Sequence, residues 1–222
     1  YLDATHNGWL NVGQAANRLA QAGVERADGF YLNVSNYQFT SNLIKYGTWV
    51  SSCLTYADFA GCPNQYWNGG EPTGWNGTAM DNYQEWRNEP YSGDPADLAW
   101  NTVGIDWRYE GTVPTTHFVI DTSRNGAGPW DPSTSGYPDP QDWCNPPGRG
   151  LGLRPTADTG HALVDAYLWI KIPGESDGEC TRGLGASGET IDPEWGIIDP
   201  PAGEWFPEMA LDLARNANPP LP

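Results

Sequence analysis

The sequence predicts an α/β fold built on a parallel β-sheet. Three short runs are almost entirely apolar, namely Phe30 to Val34, His117 to Thr122 and Ala166 to Ile172. Parallel strands that helices cover on both faces have this composition, so each run is predicted to be a strand. Segments with helical apolar spacing stand between and after these runs, and the order strand, helix, strand is that of α/β proteins.

The remaining elements are predicted in chain order. Tyr1-Leu2-Asp3 is typical of the end of a strand, so we expect the amino-terminal strands of the fold to precede Tyr1. Apolar spacing predicts a helix over Ala15–Ala22, which Gly23 ends, and an amphipathic helix over Glu204–Ala217. No fixed period repeats along the chain, so residues 1–222 are expected to form a single partial domain.

Two long segments lack sustained periodicity. Residues 51–116 and 173–203 are dense in Gly, Pro, Asn, Trp and Asp. Long irregular segments in a compact domain are usually disordered or functional. Their tryptophans and the close pair Cys53 and Cys62 favour ordered loops. We therefore expect both segments to form walls of a binding site.

Charge and cysteine content exclude several classes of partner. The chain has 28 acidic and 11 basic residues, a formal net charge of -17, which disfavours nucleic acid and anionic lipid. It has no apolar run of about 18 residues, the length that a membrane span needs. Four cysteines without a C-x-x-C pair, far from the three histidines, argue against a metal site. Their even number favours disulfides and a secreted, extracellular protein. No cofactor is expected.

The aromatic content favours a carbohydrate partner. The chain contains 12 tryptophans and 11 tyrosines. A flat aromatic ring stacks on the C–H face of a sugar ring, and a polar loop surface supplies bonds to the hydroxyls. Packing of loops alone is the competing explanation for any single tryptophan.

Polar residues cluster where the predicted strands end. Carboxyl ends of parallel strands meet on one face of the sheet, so distant residues can line one cleft there. We expect substrate contacts from residues of this kind: Asp3, His6 and Trp9; Asn33 and Asn36 beside Tyr37; Asp121 and Arg124; and Lys171, Glu175 and Asp177. Capping of turns and helices is the alternative role for each of them.

Five sequence blocks resemble glycoside hydrolase family 6 in content and order. They are Tyr1-Leu2-Asp3-Ala4-x-His6-x-Gly8-Trp9-Leu10, Asn33-Val34-Ser35-Asn36-Tyr37, Phe118 to Gly126, Asp142-Trp143-Cys144-Asn145 and Leu168 to Gly178. The resemblance implies a distorted, incomplete parallel β/α barrel with its active site at the carboxyl ends of the strands. It also implies hydrolysis of β-1,4-glucan with inversion, and cellulose or cello-oligosaccharides as the partner of a monomeric enzyme.

The resemblance assigns roles to five residues. Trp9 and Trp143 would stack on sugar, Lys171 and Glu175 would bond glucose hydroxyls, and Asp177 would be the catalytic base. An inverting enzyme needs an acid and a base whose carboxyl groups are about 6.5–9.5 Å apart. We expect Lys171 to lie near Asp177 and to keep it ionised, which suits a base.

The resemblance places the catalytic acid on a strand upstream of Tyr1, in a Glu-Pro-Asp segment. Glu71-Pro72 continues into Thr73 and Glu89-Pro90 into Tyr91, so neither pair matches. We therefore expect the acid-bearing strand to lie before Tyr1, and the 222 residues alone to be inactive. Long loops in this family roof the cleft, so an exo-acting cellobiohydrolase that works from the non-reducing end is expected.

The alternatives are an endo-β-1,4-glucanase, a non-catalytic glucan-binding protein and an enzyme for mixed-linkage glucan. A structural or protein-interaction role is a further alternative, which the strand-end clustering of polar groups disfavours.

Two disulfides are predicted, Cys144–Cys180 and Cys53–Cys62. Cys144 adjoins Trp143 and Cys180 follows Asp177 by three residues, so the first bond would join two loops of the expected site. Closing a loop of about 35 residues stabilises a fold by about 3–4 kcal/mol on the chain-entropy model.

Overall fold

The computed structural model describes residues 1–63, 90–93 and 103–222. The helices and strands, in chain order, are β1 (Leu2–Asp3), α1 (Val12–Ala22), a 3-10 turn (Val24–Arg26), β2 (Phe30–Leu32), α2 (Thr40–Tyr56), α3 (Val103–Arg108), β3 (Phe118–Asp121), β4 (Val164–Leu168) and α4 (Pro207–Arg215). None of the helices in these ranges has the length and apolar character that crossing a membrane requires.

The strands form one sheet in the order β1-β2-β3-β4. β1 and β2 are parallel, with Leu2 opposite Phe30, and β2 and β3 are parallel, with Leu32 opposite Ile120. The predicted parallel sheet flanked by helices is confirmed.

Two of the strands end earlier than predicted. β2 stops at Leu32 because Asn33 turns the chain at φ 73. β4 begins at Val164 and stops at Leu168, so the prediction of a strand over Ala166 to Ile172 was wrong at both ends. Beyond Leu168 the amides of Ile170 and Lys171 donate to the Asp121 carboxylate, at 3.4 and 2.9 Å, and are not paired with a strand.

Local signals at its ends explain the bounds of α1. Asn11 and Gln14 form a reciprocal capping box, in which the amide of each donates to the side chain of the other at 3.3 and 2.8 Å. Gly23 ends the helix at φ 83, as predicted. The capping box starts the helix three residues before the predicted Ala15. Pro207 likewise starts α4 later than the predicted Glu204, since proline favours the first helical turn.

The predicted loop over 51–116 contains helical residues that the prediction did not include. Helix α2 continues to Tyr56, and α3 occupies Val103–Arg108. Residues 64–89 and 94–102, with the tryptophans at positions 67, 75, 86 and 100, lie outside the described residues. The segment 173–203 has none of the described helices or strands, and isolated bridges such as Asp192 with Ile197 order it.

The described chain divides into two compact units. The first unit comprises residues 1–34, 38–120 and 156–167, and the second comprises 35–37, 121–155 and 168–222. In the first unit the sheet packs on α1 and α2, with buried side chains that include Leu19, Phe30, Leu32, Leu43, Tyr46, Trp49, Phe118 and Ile120. That residues 1–222 act as a single partial catalytic domain stays a prediction.

The second unit has its own core, formed around α4. Its buried members are Leu151, Phe206, Met209, Leu213 and Ala217, and Trp169 and Trp195 pack against them. Both predicted disulfides form, Cys53–Cys62 in the first unit and Cys144–Cys180 in the second.

Gly47 allows α2 to pack closely on the sheet. A Cβ at this position would lie 2.5 Å from two carbons of the Phe118 ring. Phe118 is itself fully buried and stacks on Phe30, with ring centroids 5.1 Å apart. Because the ring has no free side to move towards, an added methyl group must displace the helix or the strand.

We expect Gly47→Ala to lower the free energy of unfolding by about 1–3 kcal/mol, the usual cost of overpacking a core. Alanine is the better helix former by about 1 kcal/mol, so intrinsic propensity acts in the opposite direction. Thr55→Ala, an exposed change in the same helix, is the matched control and should alter stability by less than about 0.5 kcal/mol. Denaturant unfolding measures both, and equal stability of Gly47→Ala and the parent protein would contradict the close packing.

Candidate active site

In the first unit, a tight turn after β1 presents Trp9 to solvent. The Trp9 amide donates to the His6 carbonyl at 3.1 Å, and the Gly8 amide donates to His6 Nδ1 at 3.1 Å. His6 is buried, whereas the Trp9 side chain is 69% exposed. The buried imidazole thus braces a turn that exposes an indole face of the kind that stacks on sugar.

Two other predicted site residues of this unit brace the loops after β1 and β2. Asp3 Oδ1 accepts from the Thr5 amide at 2.7 Å. Asn33 is buried, donates its amide to the Thr5 carbonyl at 2.8 Å and accepts from the Gln38 amide at 3.0 Å. The carboxyl ends of these adjacent strands therefore meet, as predicted. Sugar contacts by Asp3, His6 and Asn33 stay a prediction.

In the second unit, Asp177 is held in a buried ion pair with Arg124. Arg124 Nη1 and Nη2 donate to Asp177 Oδ2 and Oδ1 at 3.0 and 2.9 Å. The two side chains are 0% and 6% exposed. Tyr37 Oη and the Asn145 amide also donate to Asp177 Oδ2, at 2.7 and 3.1 Å. Every donor in this set favours the ionised carboxylate.

The prediction that Lys171 is the ionic partner of Asp177 was wrong. Lys171 Nζ pairs with Glu175 Oε2 at 3.2 Å, and Arg124 is the cation on Asp177. A planar guanidinium can bind both carboxylate oxygens at once, which a lysine ammonium cannot do. Arg124 was predicted as a sugar contact, and the structure buries it completely under Asp177 and Tyr37.

The Tyr37 ring packs against the Arg124 side chain of this pair. Its ring lies 4.4 Å from the Arg124 guanidinium carbon, in a cation–π contact. Burial raises the pKa of Tyr37 well above its usual value, and the charge of Asp177 adds to this despite the opposing effect of Arg124. The phenol is therefore protonated near neutral pH and donates to Asp177.

The hydrogen bonds of Asp177 limit its chemistry. Among the residues that the structure describes, three donate to Oδ2 and one, Arg124, donates to Oδ1. A carboxylate has about four acceptor positions, so Oδ1 retains capacity for a water molecule. Oδ1 can therefore accept a hydrogen bond from a water molecule, which is the contact that a general base makes.

Three further predicted site residues of the second unit are Trp143, Asn36 and Asp121. Trp143 is 55% exposed and precedes the Cys144–Cys180 disulfide. Asn36 is half-buried beside Tyr37. Asp121 is 1% exposed and accepts the amides of Ser123 and Lys171 at 2.8 and 2.9 Å. Burial raises the pKa of Asp121 despite these amide donors, and its position makes it a brace for the loop that carries Lys171.

Sequence reasoning missed Arg182, which holds the loop beneath Trp143. Arg182 is 0% exposed, pairs with Asp192 at 2.6 Å, and donates to the carbonyls of Gln141 and Cys144 at 2.9 and 2.7 Å. The backbone of Arg182 lies at φ 53, and no local sequence pattern predicts this conformation. Tyr37 and Asn145 stood in the resembling blocks, but nothing in the sequence assigned them to Asp177.

Comparison with known proteins identifies the sequence blocks. The model of the family "Glycosyl hydrolases family 6" matches residues 1–217. Endoglucanase A of Cellulomonas fimi is 35% identical over 217 residues, covering 98% of this chain and 29% of that protein. A probable 1,4-beta-D-glucan cellobiohydrolase C of Aspergillus terreus is 33% identical over 235 residues, covering 99% of this chain and 39% of that protein.

Solved structures give the same result. Endoglucanase Cel6 from Mycobacterium tuberculosis superposes with a TM-score of 0.57 and 36% identity, over 98% of this chain and 47% of that chain. A family enzyme from Orpinomyces superposes with a TM-score of 0.55 and 29% identity, over 100% of this chain and 50% of that chain. The predicted fold class, part of a distorted parallel β/α barrel, is confirmed. The chain spans about half of the solved relatives and less of the curated ones.

We expect Arg124→Met to lower the free energy of unfolding by about 3–5 kcal/mol, because it leaves the buried Asp177 carboxylate uncompensated. Adding Asp177→Asn removes that charge and should recover part of the loss. Arg18→Met, at an exposed position of α1, controls for the loss of an arginine. Urea unfolding at neutral pH provides the three values, and an Arg124→Met loss no larger than that of the control would contradict the buried pair.

Proposed function

This chain belongs to glycosyl hydrolase family 6, and on that basis we propose that the protein containing it hydrolyses β-1,4-glucosidic bonds of cellulose with inversion. Relatives over nearly the whole chain are named as endoglucanases and cellobiohydrolases. The M. tuberculosis endoglucanase is described in complex with methyl-cellobiosyl-4-deoxy-4-thio-β-D-cellobioside. Cello-oligosaccharides are therefore the substrate class that we assign to this protein.

The observation that carries the proposal is the buried Asp177–Arg124–Tyr37 arrangement. In an inverting hydrolysis, water attacks the anomeric carbon while a base accepts its proton. Arg124 and Tyr37 fix the orientation of the Asp177 carboxyl group through hydrogen bonds, and Oδ1 retains capacity to accept a bond from water. We assign Asp177 as the base, acting directly or through a relaying water. The acid that protonates the leaving oxygen is a second carboxyl group, because Asp177 cannot serve both sides of the sugar.

Trp9 and Trp143 are the proposed sugar platforms. Each exposes more than half of its side chain although the loop beneath is firmly held. A rigid exposed indole loses little conformational entropy when it stacks on a pyranose ring, which favours binding. Lys171 and Glu175 pair with each other at 3.2 Å and supply the polar groups proposed to bond glucose hydroxyls.

An exo-acting mode, with cellobiose released from the non-reducing end, is the finer proposal. The long segment 173–203 is ordered by the buried Arg182–Asp192 pair and the Cys144–Cys180 bond. An ordered loop of this length can cover a cleft and restrict entry to chain ends. The names of several relatives favour an endoglucanase instead, which is the second candidate.

We also propose that the protein is secreted and monomeric. Two disulfides persist in an oxidising compartment, which supports an extracellular location. The formal net charge of -17 disfavours self-association and binding to nucleic acid or anionic lipid.

In the full-length protein, we expect Asp177→Asn to lower kcat on cellotetraose by at least about tenfold, since general base assistance is typically worth 10²–10⁴. Binding of cello-oligosaccharide, measured by calorimetry, should change little. Asp158→Asn, an exposed carboxylate of the first unit, is the control and should keep full activity. An unchanged kcat for Asp177→Asn in folded protein would remove Asp177 from the catalytic step.

The mode of action is tested on the unmodified full-length protein. We expect cellobiose as the main product and a slow loss of viscosity of soluble substituted cellulose, because a covered cleft excludes entry in mid-chain. Product chromatography and viscometry on the same reaction measure both. A fast fall in viscosity with few new reducing ends would show an open groove and establish the endoglucanase, and binding without any release of sugar would leave only a binding protein.

A further inference from the structure

Asn145 contacts Asp177 from two sides. Its backbone amide donates to Asp177 Oδ2 at 3.1 Å, and its Oδ1 accepts from the Asp177 amide at 2.7 Å. Its Nδ2 donates to the Gly178 carbonyl at 2.8 Å, and Ser176 Oγ lies 3.1 Å from the same nitrogen. The residue is 0% exposed and lies at φ 40, a backbone conformation that asparagine tolerates better than most residues. The Asn145 side chain thus holds the backbone of Asp177, and the Asn145 backbone amide holds its carboxylate.

The same Nδ2 group also donates to a second carboxyl group, Asp199 Oδ2, at 2.8 Å. Asp199 is 2% exposed, and its Oδ1 is buried with no hydrogen-bond partner among the described residues. A carboxylate oxygen buried without a donor is costly, because nothing replaces the water that it has lost. Protonation removes this cost and turns the oxygen into a donor.

Asp192 is the carboxylate beside Asp199 that can accept such a proton. Side-chain oxygens of Asp192 and Asp199 lie within 4.8 Å of each other and of Cys180 Sγ. The sulfur is engaged in the Cys144–Cys180 bond, so it supplies no free thiolate for a metal ion. Asp192 already accepts Arg182 Nε and Nη2 at 3.1 and 2.6 Å, and the positive charge of Arg182 also acts on Asp199.

The charges that face Asp199 favour its neutral form. Burial raises the pKa of Asp199 from 3.8 to about 7; the charge and hydrogen bond of Asp192 act in the same direction, and Asn145 and Arg182 act against them. Arg182 is committed to Asp192 by two hydrogen bonds, so it compensates only one of the two carboxyl groups.

We propose that Asn145 is a positioning residue for Asp177, and that the proton shared between Asp199 and Asp192 keeps Asn145 in place. The proposal rests on the proposed function of Asp177 as the base. Below neutral pH, Asp199 donates to Asp192 and accepts from Asn145, and the loop of Asp177 is fixed. Loss of the proton sets two carboxylates against each other in a buried site, and Asp199 must move or admit water, which releases Asn145.

The sign of the effect on stability follows from the raised pKa. The unfolded chain loses this proton near pH 3.8 and the folded protein near pH 7, so the folded state loses relative stability between these values as the pH rises. Asp199→Asn cannot ionise and keeps an oxygen that accepts from Asn145. Its Tm should therefore exceed that of the parent protein by an amount that grows from about pH 4 to about pH 7 and is then constant, reaching at least about 3 °C.

Activity gives the second readout. The kcat of the parent protein should fall as the pH rises through about 7, whereas Asp199→Asn should lack this decline or shift it by at least about one pH unit. Asp158→Asn is again the control, with the parent's pH profile. Identical Tm and kcat profiles for Asp199→Asn and the parent protein would overturn the role of the proton.

Asn145→Asp tests the positioning role. It keeps the shape of the side chain but removes both Nδ2 donors and adds a charge beside Asp199. We expect kcat to fall by at least about tenfold with KM changed by less than about threefold, as for loss of an interaction made in the transition state. The double variant Asn145→Asp with Asp199→Asn exchanges donor and acceptor across the 2.8 Å contact and should recover part of kcat. A folded Asn145→Asp variant with unchanged kcat would overturn the positioning role.

The Tm and kcat measurements distinguish a failure of this proposal from a failure of the proposed function. If the parent protein hydrolyses no glucan at any pH, the function is wrong, and the Tm profiles of Asp199→Asn still decide whether the buried proton exists. If the parent is active, the kcat profiles decide whether the proton controls Asp177.

Discussion

The buried ion pair between Arg124 and Asp177 is the constraint on which the second unit depends. Two charges that have left water need every available partner, and removal of one leaves the other uncompensated at a cost of several kcal/mol. Tyr37, Arg124, Asn145 and Asp177 come from four separate segments, and each contributes a donor or acceptor to the pair. The loops of this unit therefore have little freedom to take other conformations.

Irregular backbone of this kind needs substitutes for the hydrogen bonds of helices and strands. Arg182 supplies them where the loop below Trp143 turns, by donating to the carbonyls of Gln141, Cys144 and Asn145. The Cys144–Cys180 bond ties the same loop to the segment after Asp177. A loop fixed in this way can expose Trp143 to solvent without losing its order, which is what a stacking platform requires.

Two aspartates joined by one asparagine have different surroundings. Asp177 is surrounded by donors and a guanidinium, which favour the carboxylate. Asp199 is equally buried but faces another acid, and its Oδ1 meets no donor among the described residues. The proposed roles of Asp177 as base and of Asp199 as a carboxyl group that keeps its proton rest on this difference, because environment and not residue type tunes a carboxyl group.

The sequence by itself determined the parallel α/β class, the family, the pairing of the four cysteines and the end of α1 at Gly23, because apolar patterning, capping residues and contiguous motifs are local signals. Only the tertiary structure decided that Asp177 pairs with Arg124, 53 residues away, and not with Lys171 six residues away. It alone placed Asn145 between Asp177 and Asp199. Hydrogen bonds between distant loops depend on where the backbone carries each side chain, and backbone angles such as φ 40 at Asn145 leave no periodic trace in the sequence.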